Sequence, residues 1–148
     1  MKQNGFTALE TIIVLGIVTL VIGITISLPI KSRQRMAEEH FWSSLRQEWR
    51  QAQVRALTKH QVTWISYNQN TNAIDFRWVA GKDYVSLPST LKVKWFERFM
   101  ITDTGYTRAR TECFQSDIDQ QLYLLKIQLA WGGYRIEKQS PASISHGR

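Results

Sequence analysis

Hydrophobic positions fall along this chain in three successive regimes. From Phe6 to Ile30 the run is apolar, and Glu10 is its only charge. From Lys31 to about Lys59 apolar residues recur every three or four positions, as at Trp42, Leu45, Trp49, Ala52 and Ala56. Beyond Lys59 the pattern alternates. At about 1.5 Å rise per residue, the first regime predicts a helix long enough to span a bilayer of roughly 30 Å with some tilt. The second predicts an amphipathic continuation of that helix, with Arg46, Gln47, Arg50, Gln51 and Arg55 largely off the apolar stripe. Its tryptophans read as packing against a sheet rather than as ligand-stacking rings.

The alternating region predicts strands. Val62 to Tyr67 and Ile74 to Val79 are joined by the polar cluster Asn68-Gln69-Asn70-Thr71-Asn72, the signature of a hairpin. In the second run Ile74, Phe76 and Trp78 share one face, and Asp75 and Arg77 the other. Gly81 to Pro88 reads as a loop. Leu91 to Thr102 alternates through Leu91, Val93 and Trp95 against Lys92 and Lys94, and Asp103-Thr104-Gly105 marks the next turn. The last run is Leu122 to Ile136, with Tyr123, Leu125, Ile127, Leu129 and Trp131 on one face and Gly132-Gly133 as a turn or bulge. Ser140 to Arg148 is expected to fray.

The first helix carries further chemistry. An ionised side chain in hydrocarbon costs roughly 2.5 kcal/mol or more, which makes Glu10 a functional residue by default. Gly16, Gly23 and Ser27 form a strip of small residues suited to close helix contact, although such residues are also common in membrane helices. Pro29 removes a backbone donor and is expected to kink or loosen the helix end. The leader before Phe6 has one lysine, Lys2, and lacks the apolar core and Ala-x-Ala site of a secretory signal.

Gly5-Phe6-Thr7 with Glu10, ahead of about twenty apolar residues, resembles the N-terminal signature of type IV pilins and pseudopilins. The similarity is greatest to ComGD-type competence minor pseudopilins of Gram-positive bacteria. The resemblance implies an α+β fold, type IV pilin-like, in which a long N-terminal helix, half transmembrane and half amphipathic, packs on a small antiparallel β-sheet. It divides the chain into a prepilin leader (1–5), a transmembrane and filament-core helix (6–30), and an amphipathic helix plus globular β domain (31–148). Prepilin peptidase would cut the Gly5–Phe6 bond and methylate the Phe6 amine. Glu10 would then pair with the Phe6 amine of the next subunit and act as a register pin.

The function implied is that of a minor pseudopilin in a DNA-uptake pseudopilus during transformation. Its partners would be major and minor pseudopilins, prepilin peptidase, an assembly ATPase, a polytopic membrane platform protein, the membrane and DNA. Its place would be the cell membrane, single-pass with the C-terminal domain outside, and the cell surface once assembled. Lys31, Arg33 and Arg35 pull against that topology, because the positive-inside rule alone places them in the cytoplasm. Two other readings stay open: a pseudopilin of a type II-like secretion or adhesion system, and a membrane-anchored binding module that never assembles.

Charge and chemistry add less. The formal net charge of +7 suits polyanions in general. Lys92, Lys94, Arg98, Arg108 and Arg110 are candidate DNA contacts, with Phe96, Tyr106 and Tyr134 as candidate stacking rings; the competing reading is an ordinary solvated face. The single Cys113 excludes an internal disulfide and reads as a small packing residue. His40, His60 and His146 lack metal-ligand spacing, and no nucleotide-binding loop or hydrolase motif is present. No catalytic residue, metal or cofactor is expected.

Overall fold

A computed structural model describes residues 8–128 and 133–141, with the side chains of 24–30 outside the description. Helix α1, Ala8–Lys59, runs unbroken for 52 residues. The helical assignment continues through residue 29, so the two predicted helical regimes are one element. At its end His60 takes a left-handed φ of 50° and its N–H donates to the Ala56 carbonyl at 3.1 Å, closing the last turn.

Eight strands follow: β1 (Thr63–Asn68), β2 (Ala73–Trp78), β3 (Gly81–Ser86), β4 (Leu91–Trp95), β5 (Phe99–Ile101), β6 (Arg110–Ser116), β7 (Leu122–Ile127) and β8 (Tyr134–Gln139). They form two four-stranded antiparallel sheets, ordered β3-β2-β1-β5 and β4-β6-β7-β8. The strands interleave along the chain. After three strands of the first sheet the chain starts the second with β4, returns to the first with β5, then completes the second.

The β1–β2 hairpin lies where alternation places it. Asn68 Oδ1 accepts the Asn70 N–H at 3.0 Å, and Asn72 supplies a left-handed residue at φ 47°. Ile65, Ile74 and Phe76 are buried beneath it. The remaining sheet differs from the sequence reading in three places. The expected loop Gly81 to Pro88 contains β3, an edge strand whose inward positions are Gly81, Asp83 and Val85, so that a single apolar side chain marks its inner face and the period is hidden. The run Leu91 to Thr102 is divided at Phe96-Glu97-Arg98 into strands of different sheets. Strand β6 has no counterpart in the prediction. The final run holds β7 and, from Tyr134, β8; Leu129, Trp131 and Gly132, like most of the tail after Ser140, lie outside the described residues.

The expected fold therefore requires correction. The chain is mixed α+β, but it carries eight strands in two sheets, not a long helix on one small sheet. The transmembrane half is also overturned, because among the described residues no helix is long and apolar enough to cross a membrane. The apolar segment with described side chains, Ala8 to Gly23, is about 24 Å long at 1.5 Å per residue, against roughly 30 Å of hydrocarbon. A single-pass anchor is thus unsupported, and with it the placement in the cell membrane and at the cell surface.

The core lies between α1 and the inner faces of both sheets. Phe41, Leu45, Trp49, Ala52 and Ala56 form the buried helical stripe, so Phe41 takes the place that the sequence assigned to Trp42, which is half-buried. Trp42 still stacks on Tyr123 at 5.6 Å between ring centroids and meets Phe114 edge-on at 5.3 Å. Trp49 bridges the sheets, 5.9 Å from Phe99 in the first and 5.1 Å from Tyr134 in the second. The alanines at 52 and 56 let the backbone of the last two turns approach the sheet closely.

Candidate functional site

Among the described residues the N-terminal part of α1 has no counterpart surface. From Leu9 to Ile22 its large aliphatic side chains are between 46% and 69% exposed. At 100° per residue, Ile12, Ile13, Val14 and Leu15 alone point around the whole helix, so the segment is apolar on every side. A helix of that kind is stable in water only when something else covers it. Thr19 does not break this surface, because its hydroxyl donates back to the Leu15 and Gly16 carbonyls, each at 2.9 Å. A Cβ added at Gly16 or Gly23 would meet nothing within 4 Å, which leaves the small-residue strip open to a neighbouring helix. Ser27 lies outside the described side chains. Glu10 is exposed in the first helical turn, where the helix dipole favours a negative charge. Gly5 and Phe6 lie outside the described residues.

Of the five candidate DNA contacts, Arg98 and Arg110 are neighbours, Arg110 Nη1 donating to the Arg98 carbonyl at 3.3 Å, and two of the five are held in ion pairs. Lys92 on β4 pairs with Asp117 at 2.8 Å. Arg110 is largely buried between Glu97 at 2.5 Å and Glu112 at 2.8 Å, and its guanidinium lies 5.0 Å from the Phe99 ring centroid. Arg98, in the β4–β5 connection, sits over Trp64 at 4.5 Å. Lys94 and Arg108 are exposed on β4 and ahead of β6. Of the candidate rings, Phe96 and Tyr134 pack against the core and Tyr106 is exposed. A separate basic groove of about 700 Å³ runs along α1, lined by Arg46, Arg50, Gln51, Val54, Thr58 and Lys59 among others.

Two buried acids tie elements together, Glu38 joining the helix to β6 and Glu112 joining β6 to the β4–β5 connection, and neither is visible as a motif. Glu38 accepts a hydrogen bond from the Ser116 hydroxyl at 2.8 Å across the helix–sheet junction. Glu112, 1% exposed, accepts the Glu97 backbone N–H at 3.0 Å. Burial pushes the Glu112 carboxyl above its ordinary range, although the Glu97 N–H and Arg110 draw it back. The only signal for either was an acid placed among residues of the apolar pattern. Burial likewise raises the Cys113 thiol, partly offset by Lys94, as suits a packing residue. Among the described residues no group of three or more His, Cys, Asp or Glu could hold a metal ion.

No family model matches the chain, and neither a curated protein nor a solved structure matches it.

Proposed function

We propose that this chain is a minor pseudopilin subunit of a competence pseudopilus, which brings exogenous DNA to a transport channel. The observation that carries the reading is the contrast within α1. Its C-terminal half is satisfied by the chain's own sheets, while Leu9 to Ile22 expose aliphatic side chains in every direction. Each such side chain stabilises an assembly by roughly 1.5–3 kcal/mol when fully covered, so parallel packing of these helices among subunits is a strong drive.

Glu10 then sets the register. Cleavage after Gly5 gives Phe6 a free amine one helical turn from Glu10, and the carboxylate of one subunit meets the amine of the next. Either charge alone opposes burial among apolar helices; paired, they are tolerated in one alignment and not in others. Prepilin peptidase makes the cut and methylates Phe6, other major and minor pseudopilins supply the surrounding helices, and an ATPase with its polytopic platform drives assembly. The motif Gly5-Phe6-Thr7-x-x-Glu10 supports this reading. DNA handling is the part that rests on the resemblance and on the net charge of +7.

Uptake of labelled DNA by a strain lacking the chain, complemented with wild type, Gly5→Val or Glu10→Leu, tests this reading. Uptake is expected to be restored by wild type alone, with Glu10→Leu no longer co-purifying with other pseudopilins. Undiminished uptake in the deletion strain overturns the DNA role. Normal co-purification of Glu10→Leu overturns the assembly role.

A further inference from the structure

The outer face of the first sheet carries a second arrangement, unrelated to the helix. Strand register brings Trp64 and Ser66 of β1, Asp75 and Arg77 of β2, and Lys82 and Tyr84 of β3 onto one surface, because Trp64 pairs with Arg77, Ser66 with Asp75, Asp75 with Tyr84 and Arg77 with Lys82. Two clefts of about 370 and 360 Å³ adjoin there and share Asn68, Asp75 and Arg77, one reaching Trp64 and the other Tyr84. Each is within the size range of small-ligand sites, roughly 300–1,000 Å³.

The floor and the ends of this surface differ in chemistry. Asp75 forms the floor, 8% exposed. Arg77 Nη2 donates to its Oδ2 at 2.9 Å and Asn68 Nδ2 to the same oxygen at 3.4 Å, which leaves Oδ1 to accept from a ligand. At the ends stand two exposed rings, Trp64 at 39% and Tyr84 at 67%. The Arg98 guanidinium lies over one face of the Trp64 ring, 4.5 Å from its centroid, so a ligand ring would rest on the other face or edge. Two strand spacings of about 4.8 Å and two residues of about 3.4 Å put the two rings about 12 Å apart at the backbone, the reach of about two or three pyranose rings.

We infer that this face binds a neutral oligosaccharide, whose apolar ring faces rest on Trp64 and Tyr84 while its hydroxyls bond Asp75, Asn68 and Arg77. Charge argues for this class over nucleic acid. The central carboxylate, Asp75, already pairs with Arg77, and Arg98 and Lys82 share the clefts with Asp75 and Asp83, so the lining mixes both signs rather than offering phosphates a row of cations. A sugar hydroxyl both donates and accepts, and it matches a carboxylate beside an amide and a guanidinium. The site requires neither assembly nor DNA, so its failure is distinguishable from failure of the pseudopilin reading.

The test is calorimetric titration of the full chain, held in mild detergent, with triacetylchitotriose, with cellotriose and with a short oligothymidylate. Saturable binding of at least one trisaccharide is expected, little changed by salt. Tyr84→Ala should weaken it roughly tenfold and Asp75→Asn roughly fivefold. Tyr84 is mostly exposed on an edge strand, so its removal leaves the fold intact by circular dichroism. Absence of trisaccharide binding up to millimolar concentration overturns the inference. So does binding that both variants retain in full, or salt-sensitive oligothymidylate binding that both variants lose.

Discussion

The two halves of α1 bear apolar residues in different arrangements, and one is finished while the other is not. Between Phe41 and Ala56 the apolar positions form one stripe, and two sheets cover it. Between Leu9 and Ile22 they surround the helix, and nothing among the described residues covers them. The difference lies in the polar residues that interrupt one half and not the other: Arg46, Gln47, Arg50 and Gln51 confine the apolar positions of the second half to a stripe, while the first has few polar residues to do so. A stripe specifies one partner surface, which a single domain can supply; an all-round apolar helix specifies a bundle, which a single copy cannot.

Mutation should separate the halves. Trp49→Ala removes the ring that touches both sheets and is expected to cost about 3–5 kcal/mol of unfolding free energy in urea titration. Glu112→Ala should cost about 3 kcal/mol, because it strands the Glu97 N–H and takes one of two acids from Arg110. Glu112→Gln should cost less and should change the pH profile. Because the folded carboxyl titrates above its unfolded value, the native state binds the extra proton, and the Glu112 contribution to stability falls as pH rises through the interval between the two values. That component should vanish in Glu112→Gln when stabilities are compared from pH 4 to 7. Leu15→Ser should change unfolding by less than about 0.5 kcal/mol, since the side chain is exposed in the single copy. A large effect of Leu15→Ser on the isolated chain would erase the distinction between the halves.

Periodicity also decided what could be read from the sequence. The helical stripe, the β1–β2 hairpin and the inward face of β7 at Tyr123, Leu125 and Ile127 follow from apolar spacing alone. Strand β6 did not, because Arg110-Thr111-Glu112-Cys113-Phe114-Gln115-Ser116 places an acid and a serine at buried positions. Those groups are tolerated through partners that spacing cannot reveal: Ser116 meets Glu38, 78 residues earlier, and Glu112 meets the backbone of Glu97. The ion-pair partners of two candidate DNA contacts are hidden from spacing in the same way. Lys92 and Arg110 are charges already answered by Asp117, Glu97 and Glu112. The saccharide face is not legible in spacing, because its members come from three strands, one of which has the composition of a loop.

The interleaving of strands has a consequence for how the domain is made. The first sheet is incomplete until Phe99–Ile101 returns to β1, and by then β4 is committed to a sheet whose other strands still lie downstream. Neither sheet can therefore mature as an independent foldon, and loops between distant strands must close before either is rewarded. A nascent chain halted anywhere before Arg110 would leave β4 unpaired, so this domain should be acquired all at once, late in synthesis, rather than sheet by sheet.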